Sequence, residues 1–440
     1  MRFFDRKYEI EKLRKIEELS HKVAQFTVIS GRRRVGKTTL VQQAYAGKPL
    51  IYLFVARKSE SELCDMLVES IREVVDIPML GNARRFSDLF VFLMELAEKQ
   101  HLTVMIDEFQ DLYRVNPSIF SEMQNIWDRH KDRAKINLIV CGSINSLINK
   151  IFRDQKEPLY GRHTEMMTLH QFSPATLTEI MREYNPSHSA DDLLTLYMIT
   201  GGVAKYVELL VNCDCLTRKE ILDRFFQKDS FFLNEGKGML IEEFGKDYGT
   251  YFSILSLISQ GHNMRSDIEE MLNVQIGGYI KNLTEDYRLI VKRQPLMEKS
   301  VNKNVRYMLN DEFLRFWFRY VFRYSYMIES GANHKLRELV ERDYTTYSGR
   351  VLENWFMDTL VENGEHTRLG YWHDRKGENE IDIIAADELS EKMTFFEVKR
   401  QADKIDIPVL RAKAETFLKT TQCFGEYDIE YKGLSLDDMG

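Results

Sequence analysis

Proline is scarce in this chain, with 8 in 440 residues, and glycine adds only 23. Collagen-like and low-complexity classes are thereby excluded. Cysteine is scarce too. Cys64, Cys141, Cys213, Cys215 and Cys423 are scattered, and no second Cys or His pair stands near Cys213 and Cys215 to complete a zinc site. Reduced thiols in a cytosolic protein are the expectation. No apolar run approaches the roughly 18 residues of a membrane span. The start, Met1 to Lys7, turns at once into a charged amphipathic segment, unlike a signal peptide. A cytoplasmic location without a membrane partner follows as an expectation. A strong charge of either sign is also missing: 61 Lys+Arg against 68 Asp+Glu leave −7. That sum carries no footprint of nucleic-acid binding, although it can hide local basic patches. What is present is a 44% hydrophobic fraction, enough for a sizeable core, and a length that suggests roughly three domains.

Short apolar runs recur at 26–30, 50–55, 102–106, 136–141 and 165–169. Helical patterns separate them, notably over 59–75, 86–99 and 117–130. This alternation predicts an α/β unit with a parallel sheet covered on both faces. The alternation stops near residue 172. A helical stretch follows over 173–232, then helices over 249–259, 265–272 and 276–286, and then extended segments at 289–293 and 306–309. Three helices followed by a two-stranded wing is the winged-helix order. Residues 311–328, rich in Phe, Tyr and Trp, predict one aromatic core helix. The last section reads as a helix over 346–362, extended segments near 367–372, 379–386 and 393–399, and a helix over 407–418. It is a small α/β module. The expected domains are 1–172, 173–238, 239–330 and 340–440.

Gly31-Arg-Arg-Arg-Val-Gly36-Lys37-Thr38 matches G-x-x-x-x-G-K-[ST], between a strand and a helix that continues through Thr39. Gly31 and Gly36 let the loop curl so that backbone N–H groups face phosphates, and the helix N-terminus points at the same anion. Lys37 supplies a point charge to the β/γ-phosphates, and Thr38 offers a hydroxyl to Mg²⁺. Asp107 and Glu108 end the apolar strand over 103–107. Asp107 is expected to join the Mg²⁺ shell, and Glu108 to orient and deprotonate the attacking water. Ser143, after the strand over 136–141, reads either as a γ-phosphate or water contact or as a helix N-cap. Arg162 reads either as a γ-phosphate contact, in its own subunit or a neighbour's, or as a surface ion pair.

The order of Phe4 to Glu9, the phosphate loop, Ile106 to Gln110, Cys141-Gly142-Ser143, Leu159 to Arg162 and Thr200-Gly201-Gly202 resembles the archaeal-type ATPase family, an AAA+-like branch of P-loop ATPases. The resemblance runs over most of 1–330. It implies ATP as the nucleotide, adenine contacts near residues 4–9, and a helical lid after the core. The family usually continues the Gly-Gly motif with x-Pro, where this chain has Val203-Ala204.

A second constellation lies in the last section. Glu353 sits in the 346–362 helix, Asp382 in the strand near 379–386, and Phe396-Glu397-Val398-Lys399 in the next. Period-2 alternation puts Glu397 and Lys399 on one face, where Asp382 can meet them. Asp382 and Glu397 would form a divalent-metal site beside Lys399, or the face is a solvated one with an ordinary Glu–Lys pair. Glu353, Asp382, Glu397 and Lys399 resemble the PD-(D/E)xK nuclease pattern, and such a domain is often fused to archaeal-type ATPases. The wing carries Lys292, Arg293, Lys299, Lys303 and Arg306 against Glu298, suited to DNA phosphates. An adaptor between ATPase and nuclease is the other reading of the winged helix. The whole suggests an ATP-hydrolysing switch, with a homo-oligomer as one candidate assembly, coupled to a metal-dependent DNA nuclease-like domain. The alternative is a regulator or DNA-binding module whose nuclease-like end is inactive.

Overall fold

The computed structural model describes residues 1–75, 83–245, 248–293, 295–296, 305–374, 379–421 and 427–439. The chain divides into two compact units, Asp5–His170 and a second made of Met1–Phe4 with Gln171–Gly440.

The Asp5–His170 unit holds five strands: β1 (Gln25–Ser30), β2 (Ile51–Phe54), β3 (Leu102–Asp107), β4 (Ile136–Cys141) and β5 (Glu165–Thr168). They pair in the order β2-β3-β4-β1-β5, and every pairing is parallel. β1, β3 and β4 are buried at every residue, as strands covered on both faces must be. The helices bury one stripe each. In Phe86–Lys99 the buried residues Phe86, Leu89, Phe90, Leu93, Met94 and Ala97 recur at three- and four-residue spacing. Helix Glu60–Arg72 starts at a capping box in which Ser59 and Glu62 satisfy each other's backbone N–H groups.

The second unit opens with helices Pro174–Tyr184, Ala190–Thr200, Ala204–Val211, Arg218–Phe226 and Phe231–Phe244. Helices Tyr248–Ser259, Arg265–Leu272 and Gly277–Glu285 follow, and then an antiparallel ribbon of β6 (Ile290–Arg293) and β7 (Arg306–Leu309). Glu298, Lys299 and Lys303 of the expected wing lie outside the described residues, as does Cys423. The aromatic helix expected over 311–328 is broken into Glu312–Phe316, a π-helical turn Trp317–Phe322, and Ser325–Glu329. The widened turn brings the neighbours Trp317 and Phe318, and Tyr320 and Val321, inside together. A regular helix would turn part of that run outward. The aromatic residues do pack as core.

The helix expected over 346–362 begins earlier, at Asn333, and runs unbroken to Asn363. Its early buried positions, Leu336, Val340, Tyr344 and Tyr347, are diluted in sequence by charges, which hid its first turns. Four strands follow: β8 (Arg368–His373), β9 (Glu380–Asp387), β10 (Lys392–Val398) and β11 (Asp428–Leu434), in the order β11-β10-β9-β8. Only β10 and β11 pair in parallel. One sheet face, through Ile383, Ala385, Phe396 and Val398, joins the helical core. The other, through Trp372, Ile381, Ile384 and Phe395, packs on Leu410, Ala414 and Phe417 of helix Ile407–Thr421. β11 was not foreseen. As an edge strand with alternate residues exposed, it lacks an apolar run.

Candidate functional site

In the Asp5–His170 unit the loop after β1 has the conformation its glycines allow. Gly31 (φ 142°) and Gly36 (φ 94°) take positive φ. A Cβ at Gly31 would stand 2.4 Å from the Leu169 carbonyl oxygen, so no side chain fits there. Gly36 leads directly into helix Lys37–Ala44. The buried Lys37 Nζ donates to the carbonyls of Gly31 (2.8 Å) and Arg32 (3.0 Å), which pins the ammonium across the loop. Thr38 Oγ1 donates to Asp107 Oδ2 at 2.7 Å. Thr39, one residue on, is exposed.

Strand order decides what surrounds this pair. β4 lies between β1 and β3, so Ser143, just past the carboxyl end of β4, stands between the loop and the two acids. Ser143 Oγ donates to Glu108 Oε2 at 2.7 Å. It does not cap the next helix, which begins after Ile144 with no side-chain cap. Two partners escaped sequence reasoning. Tyr52 OH donates to Asp107 Oδ2 at 3.0 Å, and Gln110 Nε2 donates to Glu108 Oε2 at 2.5 Å. Tyr52 sits in β2, where register sets Phe54 against Asp107, a pairing that no local pattern announces. Burial, and then Asp107, push the Tyr52 phenol upward, so it stays a donor. Glu108 itself takes left-handed backbone (φ 53°) and is held by two donors.

Arg162 is placed away from this cluster. It precedes β5, which runs parallel to β1, and nearby Thr164 N bonds to Phe26 O near the start of β1. About five strand residues, or about 17 Å, separate that level from the phosphate loop. The in-cis reading of Arg162 is therefore corrected. In its own chain it pairs with Asp128 at 3.2 Å.

Thr38 and Asp107 present a hydroxyl and a carboxylate side by side, the hard-oxygen donors that suit Mg²⁺ shared with phosphate and water. Among the described residues no group of three or more His, Cys, Asp or Glu forms a self-contained metal cage.

In the second unit, Glu353, Asp382, Glu397 and Lys399 converge. Register against β8 shifts between Gly370 and Trp372, which inserts an extra residue into β9 beside Asp382. Bulges of this kind re-aim side chains. Asp382 Oδ2 accepts from Val398 N at 2.8 Å and lies 3.4 Å from Lys399 Nζ. Glu397 Oε1 lies 3.4 Å from the same Nζ, and its Oε2 accepts from Asp406 N at 2.9 Å. Burial, and then the charges of Asp382 and Glu380, push the Glu353 carboxyl up to about 7 against Arg293 and Lys399. Burial also raises Asp382, less the hydrogen bond from Val398 and the charge of Lys399. Burial works to lower Lys399, and the two carboxylates outweigh it, so its ammonium is held above its ordinary range. Two carboxylates on one lysine are a donor set that a hydrated divalent ion can use.

A parallel sheet with a glycine-framed phosphate loop after β1 and an Asp-Glu pair ending β3 defines a P-loop ATPase domain. More particularly, residues 3–210 match the family described as an ATPase domain predominantly from Archaea. Over these residues the chain is similar to archaeal-type P-loop ATPase domains. Residues 317–411 match a family of archaeal and bacterial proteins of unknown function. An uncharacterized protein of Methanocaldococcus jannaschii is 29% identical over 409 residues, 90% of this chain and 87% of the relative. Two solved structures share the fold. The Walker-type ATPase of Pyrococcus abyssi is 21% identical, with a TM-score of 0.55, over 72% of this chain and 96% of that one. The ORC2 protein of Aeropyrum pernix, solved in ADPNP–ADP complexes, is 15% identical, with a TM-score of 0.51, over 74% and 94%. Among the described residues no helix is long and apolar enough to cross a membrane.

Proposed function

We propose that this chain is an ATP-hydrolysing switch coupled to a metal-dependent DNA nuclease-like domain, acting in the cytoplasm. The observation that carries the ATPase half is the Thr38–Asp107 hydrogen bond of 2.7 Å, with Glu108 poised one residue on. Lys37, with Gly31, Gly36 and Thr39 of its loop, binds the phosphates. Thr38 and Asp107 would hold Mg²⁺, which would neutralise phosphate charge when bound. Glu108 takes the proton of the attacking water, and Ser143 and Gln110 set the direction of its carboxylate. Arg162 serves the γ-phosphate of a neighbouring copy, which makes hydrolysis depend on a homo-oligomer.

The nuclease half rests on Asp382 and Glu397 standing each 3.4 Å from Lys399. The two acids would hold the metal, Lys399 would steady phosphate charge, and Glu353 would act as an acid–base group. Helices Tyr248–Ser259, Arg265–Leu272 and Gly277–Glu285 with the β6–β7 ribbon are read as a winged helix between a helical lid and a nuclease-like end; helices Phe231–Phe244 and Asn333–Asn363 run across the expected boundaries at 238/239 and 340. One observation favours the second reading, a regulator with an inactive nuclease-like end: both oxygens of Glu397 are already engaged, by Asp406 N and Lys399.

One experiment separates the two. The protein is incubated with plasmid and linear DNA and Mg²⁺ or Mn²⁺, with and without ATP, beside Lys399→Ala. Cleavage lost in the variant supports the nuclease, and no cleavage under any condition favours the regulator. For the ATPase, Lys37→Ala should abolish binding of a fluorescent ATP analogue. Glu108→Gln should retain binding and lose about 10²-fold or more in turnover.

A further inference from the structure

The β6–β7 ribbon is docked on the four-stranded sheet. Leu296 N donates to Tyr371 O at 2.8 Å, and the Leu296 side chain occupies the space over Gly370, where a Cβ would meet it at 3.1 Å. Leu296 also joins the apolar core on that side of the sheet. This docking carries Arg293 to the sheet. Its guanidinium carbon lies 4.1 Å from the centroid of the Tyr371 ring, and Nη1 reaches Met308 Sδ at 3.2 Å. Among the described residues no carboxylate forms an ion pair with Arg293.

The strand that Arg293 covers leads to the acids. Tyr371 and His373 are two apart in β8, register sets His373 against Glu380, and Glu380 is two residues from Asp382. The charge of Arg293 reaches Glu353, as does that of Lys399. His373 is 6% exposed. Its Nδ1 lies 2.9 Å from Asp374 O and therefore donates to it. Its Nε2 is buried without a hydrogen-bond partner among the described residues. A stacked guanidinium without a carboxylate partner is a group that an anionic ligand can satisfy.

We propose that Arg293 belongs to the Glu353–Asp382–Glu397–Lys399 site, where it forks a phosphate of a nucleic-acid backbone while Lys399 holds the neighbouring charge. The substrate class is a DNA phosphodiester, read through its backbone and not its bases. Stacking on Tyr371 covers one guanidinium face and leaves the donor edge for a bidentate contact that lysine cannot reproduce. The ribbon is then part of the hydrolytic site. The inference rests on the nuclease-like reading of that site.

The test uses full-length protein with Arg293→Gln and Arg293→Lys. Lys419→Gln removes the same charge from the exposed face of helix Ile407–Thr421 and serves as control. Anisotropy of a short fluorescein-labelled duplex in Ca²⁺, across a salt series, reads binding; cleavage in Mg²⁺ or Mn²⁺ at saturating duplex reads the bound state. Thermal melts confirm that each variant folds. Arg293→Gln should lose about one unit of the log–log salt slope. It should also cleave about tenfold or more slowly at saturating duplex, with Arg293→Lys recovering binding but not rate. Lys419→Gln should match wild type. Wild-type cleavage at saturation by Arg293→Gln would overturn the inference and leave the nuclease reading standing. If neither wild type nor Lys399→Ala cleaves, the nuclease reading falls, and the salt slope alone decides: an unchanged slope sinks the phosphate role of Arg293, and a reduced slope upholds it.

Discussion

Glu353→Gln isolates the electrostatics of the acidic site and needs no DNA. In the folded chain the Glu353 carboxyl titrates near 7, against its ordinary 4.5, because burial and the Asp382 and Glu380 charges penalise its ionised form. Below about pH 4.5 it is neutral in both the folded and the unfolded chain. As pH rises through 7, the unfolded chain has released its proton freely, whereas the folded chain must release it at a penalty. Its contribution to stability is therefore full at low pH and lost at high pH. At about 1.4 kcal/mol per pH unit, the gap corresponds to about 3 kcal/mol. Glutamine is neutral throughout and has the same shape. The variant should match wild type near pH 4.5 and exceed it by about 3 kcal/mol at pH 8, a difference of roughly 6–12 °C in Tm for a unit of this size. Tryptophan fluorescence suits the measurement, because Trp317, Trp355 and Trp372 all lie in the unit that holds Glu353. A stability difference independent of pH, or a variant less stable at pH 8, would refute the reasoning. Under the nuclease reading the same variant loses cleavage, so the site holds an acid at the expense of stability.

Helix Phe231–Phe244 offers a paired packing test. A Cβ at Gly236 would lie 2.4 Å from the Trp317 ring, whereas at Gly238 it meets nothing within 4 Å. In denaturant melts Gly236→Ala should cost about 1–3 kcal/mol and Gly238→Ala should gain about 0.5–1 kcal/mol; equal effects would contradict the packing. For Arg162, specific ATPase activity should rise steeply with protein concentration in wild type, and Arg162→Ala should flatten and lower that curve. Activity strictly proportional to concentration in wild type would remove the in-trans role.

Legibility in the sequence followed the range of the interaction. The phosphate loop could be read because its glycines encode backbone angles locally: Gly31 and Gly36 do take positive φ, and the loop stands between strand and helix as expected. The strands of the parallel sheet could be read because burial on both faces requires continuous apolar runs. β11 and the first turns of helix Asn333–Asn363 could not, since exposed edges and charged turns dilute the apolar signal.

Tertiary structure alone decided who meets whom. The insertion of β4 between β1 and β3 turned Ser143 from a candidate cap into a partner of Glu108, and the pairing of β2 with β3 brought Tyr52 to Asp107. Parallel pairing of β5 with β1 carried Arg162 away from its own phosphate loop. The bulge in β9 stands where Asp382 meets Lys399, and ribbon docking brought Arg293 over Tyr371. By itself the sequence determined which side chains carry chemistry and which backbone angles its glycines permit, because both are local properties. Strand order, register and docking are set by apolar surfaces far apart in the chain, so the neighbours of each charge emerged only when those surfaces were buried together.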